Sequence, residues 1–310
     1  MSKFYVSPSP HLRSHASTRR IMLDVIIALV PAIIASCVHF GWYPLLILAV
    51  CVAVCVASEF ISRLIMKRDN TVGDLSAVVT GVLLALNLPA NINPLIAAFG
   101  ALAAIVVVKQ MFGGLGMNFV NPALAGRIIL LVSFPTAMTT WVASNFQAVD
   151  AVTSATPLAA EANTYSYLEL LLGSHGGSMG ETCAVALILG GVYLVIRRVI
   201  SAAIPLVIMG SAALTSLVLG RDPLFELLSG GLLLGAVFMA TDYVTSPITF
   251  RGKVIYGVGI GVLTVLIRQF ANIPEGMSFA ILLFNILTPL IENITAKKPF
   301  GAKKAKEGAE

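Results

Sequence analysis

Long apolar runs constrain this chain more than any other feature of its sequence. Several of them approach the ~20 residues that a helix needs to cross the hydrocarbon core of a membrane. Charged residues make up only 11% of the 310 residues and hydrophobic residues 57%, whereas soluble domains contain about 25% charged residues. The sequence therefore predicts an all-α integral membrane protein, and the mild net charge of +5 gives no indication of nucleic-acid binding.

Ten segments have the character of membrane spans, and the basic residues around them predict the topology. The segments are residues 21–40, 44–65, 74–89, 94–110, 119–135, 181–197, 202–219, 227–243, 254–268 and 278–296. Lys and Arg accumulate on the cytoplasmic side of membranes. A cytoplasmic amino terminus places every basic residue inside except Arg127, Arg221 and Arg268. Both termini are therefore expected in the cytoplasm.

Two segments half a chain apart resemble each other. Lys109-Gln110 precedes Gly116-Met117-Asn118-Phe119, and Arg268-Gln269 precedes Gly276-Met277-Ser278-Phe279. The predicted topology puts Lys109 inside and Arg268 outside, so the two copies run in opposite directions. This pattern predicts two inverted five-helix repeats, an architecture that many transporters share. Chance similarity between apolar segments is the alternative.

The repeat and the topology together divide the chain into four parts. Residues 1–135 form the first five-helix repeat and residues 181–296 the second. Residues 136–180 contain no Lys or Arg, which predicts an extracytoplasmic loop. Residues 297–310 are expected to be a cytoplasmic tail.

Charges inside the predicted spans indicate either a function or a pairing between helices. A charge near the bilayer centre costs roughly 2.5–3.5 kcal/mol, and Glu59 and Arg127 are the deepest candidates. They indicate a path for a cation or contacts to a buried cofactor, and interhelical pairing is the alternative. The cysteines Cys51 and Cys55 share a helix face, but two thiols alone make a poor metal site. We therefore predict no metal site.

Proline and polar residues interrupt two apolar runs, at Pro89–Pro94 and at Thr241–Pro247. Freed backbone groups need a cavity or a ligand, so we expect the two breaks to meet near the midplane and frame an internal site. The alternative is that neighbouring helices cap both breaks and that nothing binds. The candidate lining residues are Asn118, Asn121, Arg127 and Asp242. The first three are expected on one short helix after a glycine-rich turn.

The predicted outer loop contains the run Asp150-Ala151-Val152-Thr153-Ser154-Ala155-Thr156-Pro157. Its small side chains allow the backbone to lie close to a bulky planar group. The run ends in a hydroxyl that is able to form a phosphoester. A Ser/Thr-rich turn in a surface loop is the alternative.

These features together resemble the RnfD and NqrB family of membrane flavoprotein subunits. The resemblance includes Ser7-Pro8-Ser9-Pro10-His11-Leu12, Asn118 with Asn121-Pro122-Ala123-Leu124, and the ten-helix repeat. The family's flavin site reads [Ser/Thr]-Gly-Ala-Thr, and Ser154 stands here where the family has Gly. The compact amino-terminal region is more similar to RnfD than to NqrB, which has a longer one.

The resemblance implies FMN bound to Thr156 through a phosphoester and attached by a flavin transferase. The surrounding motif residues are Asp150, Thr153, Ser154 and Ala155. It also implies a second, non-covalent flavin, riboflavin, among the helices. The implied partners are the other membrane and peripheral subunits of an Rnf complex, which pass electrons between ferredoxin and NAD while Na⁺ or H⁺ crosses the membrane.

Other assignments fit the same sequence features. An NqrB-like subunit of a quinone-reducing sodium pump is one, and a solute channel or secondary transporter is another, because fold does not fix function. A structural membrane anchor is the third. The chain has no iron–sulfur cysteine motif and no nucleotide-binding fingerprint, so an oxidoreductase built from it needs other subunits for NAD and ferredoxin, and we expect no activity from the chain alone.

The topology is testable with single added cysteines. In intact cells, a membrane-impermeant thiol reagent should label Asn163→Cys and spare Ala302→Cys, because the basic residues put loop 136–180 outside and the tail inside. The parent chain, with its own four cysteines, gives the background labelling. The opposite labelling pattern would overturn the ten-span topology.

Overall fold

The protein is an all-α polytopic membrane protein in the part that the structure describes. The structure is a computed structural model, and it describes residues 17–142, 144, 157–158, 165–271 and 275–296. Within these ranges there is no strand, and Pro89 and Ser178 form an isolated β-bridge.

Thirteen helices are defined in these ranges, and several of them are single turns or short caps. They are α1 (Thr18–Phe40), α2 (Tyr43–Ile65), α3 (Ser76–Leu86), α4 (Pro94–Ala103, continued by a π-helix at Ala104–Gln110), α5 (Pro122–Ser133), α6 (Pro135–Thr139), α7 (Tyr167–Leu172), α8 (Ala184–Ile196), α9 (Ala203–Val218), α10 (Pro223–Leu228), α11 (Leu232–Leu234, continued by a π-helix at Gly235–Met239), α12 (Phe250–Phe270) and α13 (Gly276–Thr295).

Four helices, α1, α2, α12 and α13, are long and apolar enough to cross a membrane by themselves, with lengths of 20 to 23 residues. At 1.5 Å per residue, 20 residues span about 30 Å, which matches the hydrocarbon core. The side chain of Ser17 caps α1 by accepting a hydrogen bond from the backbone N–H of Arg20 at 3.3 Å. These four helices lie close to the spans predicted from the sequence.

The predicted span 74–89 is shorter than expected, because α3 contains only 11 residues. Its length is about 16 Å, roughly half of the hydrocarbon core. Asp74 accepts a hydrogen bond from the backbone N–H of Ser76 at 2.7 Å and so fixes the start of the helix. At the other end, the amide of Asn87 donates to the carbonyl of Leu83 at 2.6 Å. Polar side chains therefore end this helix on both sides.

The predicted span 227–243 is wrong as a single helix, because the chain breaks between α10 and α11. Gly230 takes a φ of 64°, a left-handed conformation that glycine adopts without strain. The carbonyl of Ser229 leaves the helical pattern and accepts a hydrogen bond from Nη2 of Arg268 at 3.1 Å. The guanidinium of Arg268 thus stabilises the break that hydropathy alone does not show.

Two buried ion pairs occupy matching positions in the two predicted repeats. Nζ of Lys109, at the end of the π-helix after α4, lies 2.8 Å from Oε2 of Glu59 on α2. Nη1 of Arg268, near the end of α12, lies 2.8 Å from Oε2 of Glu226, which follows α9 on α10. In each case a cation late in the fourth helix of a repeat binds a carboxylate at or after the second helix. This correspondence supports the proposal of an internal repeat.

Breaking the ion pair between Lys109 and Glu59 should destabilise the protein. Lys109→Met leaves the Glu59 carboxylate buried without its cation, which costs about 3–5 kcal/mol for pairs of this kind. The expected result is a clearly lower thermal unfolding midpoint in detergent, measured by the loss of helical circular dichroism.

The double variant Glu59→Gln/Lys109→Met removes both charges and should recover most of the loss. Arg251→Met, at an exposed position, is the matched control and should leave the midpoint near that of the parent. A Lys109→Met protein as stable as the parent would show that the pair contributes nothing.

Candidate functional site

A cavity of about 90 Å³, mostly apolar but with several polar side chains in its wall, lies among the start of α3, the loop before α5 and the segment that follows the π-helix after α11. Apolar side chains from α1 and α8 close its other sides. Three of the four candidate lining residues, Asn118, Asn121 and Asp242, line this cavity together. The further polar lining residues are Ser76, Thr80, Lys109 and Thr241.

Asn121 connects the two predicted repeats at this cavity. It is the N-cap of α5, and its Oδ1 accepts a hydrogen bond from the backbone N–H of Ala123 at 3.0 Å. Pro122 follows in the first turn, where a missing N–H costs nothing. The other end of the Asn121 amide, Nδ2, donates to the carbonyl of Met239 at 3.3 Å. One side chain therefore caps a helix of the first repeat and ties it to the second.

Lys109 brings a positive charge to the cavity wall, and its partners neutralise that charge. Nζ donates to Ser76 Oγ at 2.6 Å as well as to Glu59. Glu59 is fully buried, and its Oε1 accepts from the hydroxyl of Thr71 at 2.7 Å. Asp242 is then the cavity-lining charge that has no basic partner among the described residues. Its Oδ2 accepts a hydrogen bond from the Thr245 hydroxyl at 3.1 Å.

Arg127 does not share this cavity, which corrects the expectation that it joins Asn118 and Asn121 on one helix. Asn118 precedes α5, and Asn121 only caps it. Arg127 lies six residues after Asn121, which corresponds to about 9 Å along the helix axis and about 240° around it. Helix geometry therefore carries its side chain to another part of the protein.

Arg127 forms a second buried polar cluster between the two repeats. Its Nη1 donates to Asn87 Oδ1 at 2.9 Å and to Ser278 Oγ at 3.0 Å. Glu181 lies 3.5 Å from the same nitrogen, and Glu275 forms an ion pair with Nη2. Neither carboxylate was predicted from the sequence. Both stand alone next to an apolar run, and that isolation was the available signal.

The backbone groups freed at the end of α3 form hydrogen bonds with another part of the protein, which is the alternative that the sequence left open. The backbone N–H of Gly180 donates to the carbonyl of Leu86 at 2.7 Å, and that of Met179 to the carbonyl of Leu88 at 3.0 Å. Pro89 lies against Ser178. The cavity thus lies at the start of α3, and the expectation that Pro89–Pro94 frames it with Thr241–Pro247 is wrong for the first of these segments.

The candidate flavin motif lies outside the described residues, so Asp150, Thr153, Ser154, Ala155 and Thr156 stay sequence-based predictions. The next two residues, Pro157 and Leu158, are described, and Pro157 is buried. The Cδ1 atom of Leu158 lies 2.7 Å from the point where a Cβ of Gly230 would be, and Nη2 of Arg268 lies 3.1 Å from it. The chain that follows the motif therefore packs beside the break before α11.

The two basic residues that the topology places in outer loops come together at this position. Arg221 Nη1 lies 3.0 Å from Glu226 Oε1, and Arg268 Nη1 lies 2.8 Å from Glu226 Oε2. Two cations share one carboxylate, which leaves a positive excess. Nε of Arg268 and Oγ of Ser229 are buried, and neither has a hydrogen-bond partner among the described residues. An anion with several oxygens fits such donors.

Two histidines contact residues that lie on either side of the motif in the sequence, His39 contacting Ser144 and His175 contacting Tyr165. Nδ1 of His39, at the end of α1, lies 3.1 Å from Oγ of Ser144. The ring of His175 packs edge-on against Tyr165, with centroids 6.2 Å apart. Burial lowers the pKa of His175, and a hydrogen bond with the carbonyl of Gly176 opposes this effect. In the described part of the chain, no three His, Cys, Asp or Glu residues are grouped as metal ligands.

Comparison with known proteins places this arrangement in a family. The sequence profile of the NQR2, RnfD, RnfE family matches residues 5–301, which is nearly the whole chain. The chain belongs to this family. The resemblance found from the sequence motifs is thereby confirmed.

Individual relatives align with the chain from end to end. A protein of Acetobacterium woodii, named as the D subunit of a Na(+)-translocating ferredoxin:NAD(+) oxidoreductase complex, is 46% identical, over 98% of both chains. A protein of Clostridium ljungdahlii, named as the D subunit of the proton-translocating complex, is 39% identical, over 97% of both. The D subunit of the ion-translocating oxidoreductase complex of Marinobacter nauticus is 37% identical, over 97% of this chain and 96% of its own. The chain is thus similar to relatives whose names give different coupling ions.

Proposed function

We propose that this protein is the D subunit of an ion-translocating ferredoxin:NAD⁺ oxidoreductase of the Rnf type, and that it carries electrons through FMN bound covalently to Thr156. The observation that carries the proposal is the similarity over 98% of both chains to a subunit of that name. Other subunits of the complex bind ferredoxin and NAD, and a flavin transferase attaches the FMN. The chain works only within the assembled membrane complex.

The residues next to the motif fit a covalent FMN. A phosphoester on Thr156 carries negative charge, and the segment after Thr156 packs beside Arg268 through Leu158. Arg268 Nε and Ser229 Oγ are the available donors there, and Arg221 adds a second positive charge through Glu226. FMN supplies one- and two-electron chemistry when bound. The chain's part is to hold the phosphate and to provide a fixed positive field.

Glu226 has a positioning role in this arrangement. It is completely buried and holds both guanidiniums, at 3.0 Å and 2.8 Å. Because arginine stays protonated at any physiological pH, the field that these two side chains create does not change with the redox state of the complex. A fixed positive charge beside a flavin favours the reduced states of the flavin, because these states are more negative and are stabilised most by nearby cations.

The cavity lined by Asn118, Asn121 and Asp242 fits a small cation and water better than a flavin. A water molecule needs about 10–15 Å³ of cavity volume, so about 90 Å³ holds several. Pockets for larger organic ligands measure about 300–1,000 Å³. The cavity is too small for riboflavin, and we derive no step through a second flavin. We assign to it a step of Na⁺ or H⁺ transfer, in which Asp242 supplies the negative charge.

The FMN assignment is testable by mass. Thr156→Ala should abolish the mass increment of the purified subunit and its ultraviolet-excited fluorescence in a denaturing gel, because the phosphoester has no other oxygen at that position. Thr164→Ala, which removes a hydroxyl of the same predicted loop outside the motif, is the matched control and should keep both signals. A Thr156→Ala subunit that still carries flavin, or a parent subunit without any, would refute the assignment and favour a channel, a transporter or an anchor.

The cation assignment predicts a selective loss in Asp242→Asn. Ion pumping by the complex in vesicles should fall about tenfold or more, the loss expected when a contact to a charged group of about 1.5–3 kcal/mol is removed. Covalent FMN should be unchanged. Asp69→Asn, at an exposed position, should pump like the parent, with either Na⁺ or H⁺ as the ion. Normal pumping in the Asp242→Asn complex would remove Asp242 from the path.

A further inference from the structure

One buried cation in the described part of the chain has no counter-ion. Arg63, in the last turn of α2, is 9% exposed. Its side chain makes no hydrogen bond or ion pair with another residue there; its Nε is enclosed without an acceptor, whereas Nη1 and Nη2 are not among the enclosed atoms and can be reached by a ligand. Every other guanidinium or ammonium that is buried to this degree, on Lys109, Arg127 and Arg268, has a carboxylate partner in the described residues. Arg63 is therefore the exception that needs an explanation.

A buried arginine cannot lower the cost of its position by losing its proton. The guanidinium stays protonated in proteins, and an unpaired buried charge is strongly unfavourable. The nearest carboxylate along the helix, Glu59, already binds Lys109 and Thr71. Asp74 accepts hydrogen bonds from Ser76. No carboxylate among the described residues is therefore left to balance Arg63.

The backbone next to Arg63 is shaped to receive its guanidinium. Gly113 and Gly114 take φ values of 123° and 104°, which residues with a Cβ rarely adopt. A Cβ on Gly114 would overlap Nη2 of Arg63, and Nη1 of Arg68 lies 3.9 Å from the point where a Cβ of Gly113 would be. Two arginines thus flank one glycine loop, at the end of α2 that the topology places on the cytoplasmic side.

The surface around these arginines is apolar and exposed at the surface of the protein. Leu64 and Ile65, directly after Arg63, are 68% and 75% exposed. The rings of Phe112 and Phe119, on either side of the glycine loop, are about half exposed and lie 4.8 Å apart. A ligand that matches this place has an anionic group for the arginines and apolar chains for the neighbouring surface. Free phosphate or a carboxylate lacks the second part.

We propose that Arg63, with Arg68, binds the phosphate of an anionic phospholipid in the cytoplasmic leaflet. The acyl chains lie along Leu64 and Ile65 and against the Phe112–Phe119 pair. Basic pockets beside membrane helices on this side suit anionic headgroups, and a guanidinium gives a phosphate two parallel hydrogen bonds. The lipid supplies the counter-charge that the described chain does not.

The experiment titrates the purified, delipidated full chain with phosphatidylglycerol and, separately, with phosphatidylcholine of the same acyl chains, using native mass spectrometry. The parent should bind one phosphatidylglycerol tightly and prefer it to phosphatidylcholine. Arg63→Gln should bind it on the order of tenfold more weakly, since a hydrogen bond to a charged group is lost. Arg63→Lys should lie between the two, because it keeps the charge and loses the paired hydrogen bonds.

Arg198→Gln is the matched control, because Arg198 is an exposed arginine on the same predicted side, and it should bind like the parent. Helical circular dichroism and gel filtration verify that each variant is folded.

Equal binding of the two lipids by the parent overturns the proposal without any variant. Equal phosphatidylglycerol binding by a folded Arg63→Gln chain overturns it too. Inorganic phosphate bound as tightly as phosphatidylglycerol would identify a simple phosphate site, and loss of the lipid on assembly of the complex would identify a partner's carboxylate; either result overturns the proposal.

Discussion

The fold depends on ion pairs between buried charges on different helices, because lipid offers neither water nor counter-ions to the helices. Lys109 holds the fourth helix of the first proposed repeat to Glu59 on α2, and Arg268 holds α12 to Glu226 on α10, both at N–O distances of 2.8 Å. Pairs of this kind contribute little net stability when formed, but removing one partner is costly. They act mainly as a constraint, since a rotated or shifted helix would separate charges that the membrane cannot screen. The helix packing around the cavity is specified in this way.

Two sets of polar contacts join α5, in the first predicted repeat, to residues of the second. Asn121 ties the start of α5 to the carbonyl of Met239, beside the cavity that Asp242 lines. Further along the same helix, Arg127 ties α5 to Ser278 and Glu275. A short helix of 12 residues thus carries one interface at its cap and another in its middle. Asn121 and Arg127 are only six residues apart, but their side chains leave α5 in different directions. The small cavity and the arginine cluster are therefore separate.

Sequence patterns predicted the long helices well and the interrupted ones poorly, for a physical reason. Hydropathy measures what lipid tolerates, so it finds α1 and α2 almost to the residue. It does not measure where the backbone changes its hydrogen-bond partners, and it therefore joined α10 and α11 across Gly230. The polar candidates Asn118, Asn121 and Asp242 followed from their positions at the interrupted apolar runs and after the glycine-rich turn, and they do share a cavity. The partners Glu181 and Glu275 of Arg127 could not follow, because their proximity depends on how the two repeats pack.

The sequence separation of the paired charges has a consequence for synthesis of the protein. Glu59 enters the membrane before Lys109 exists, since 50 residues separate them, and Arg127 precedes Ser278 by 151 residues. At about 5–20 residues per second, Glu59 waits on the order of 3 to 10 seconds for its cation, and Arg127 waits on the order of 8 to 30 seconds for Ser278. During these intervals, each side chain lacks a partner that it has in the folded protein. The rate of translation therefore sets how long these side chains lie in the membrane before they can pair.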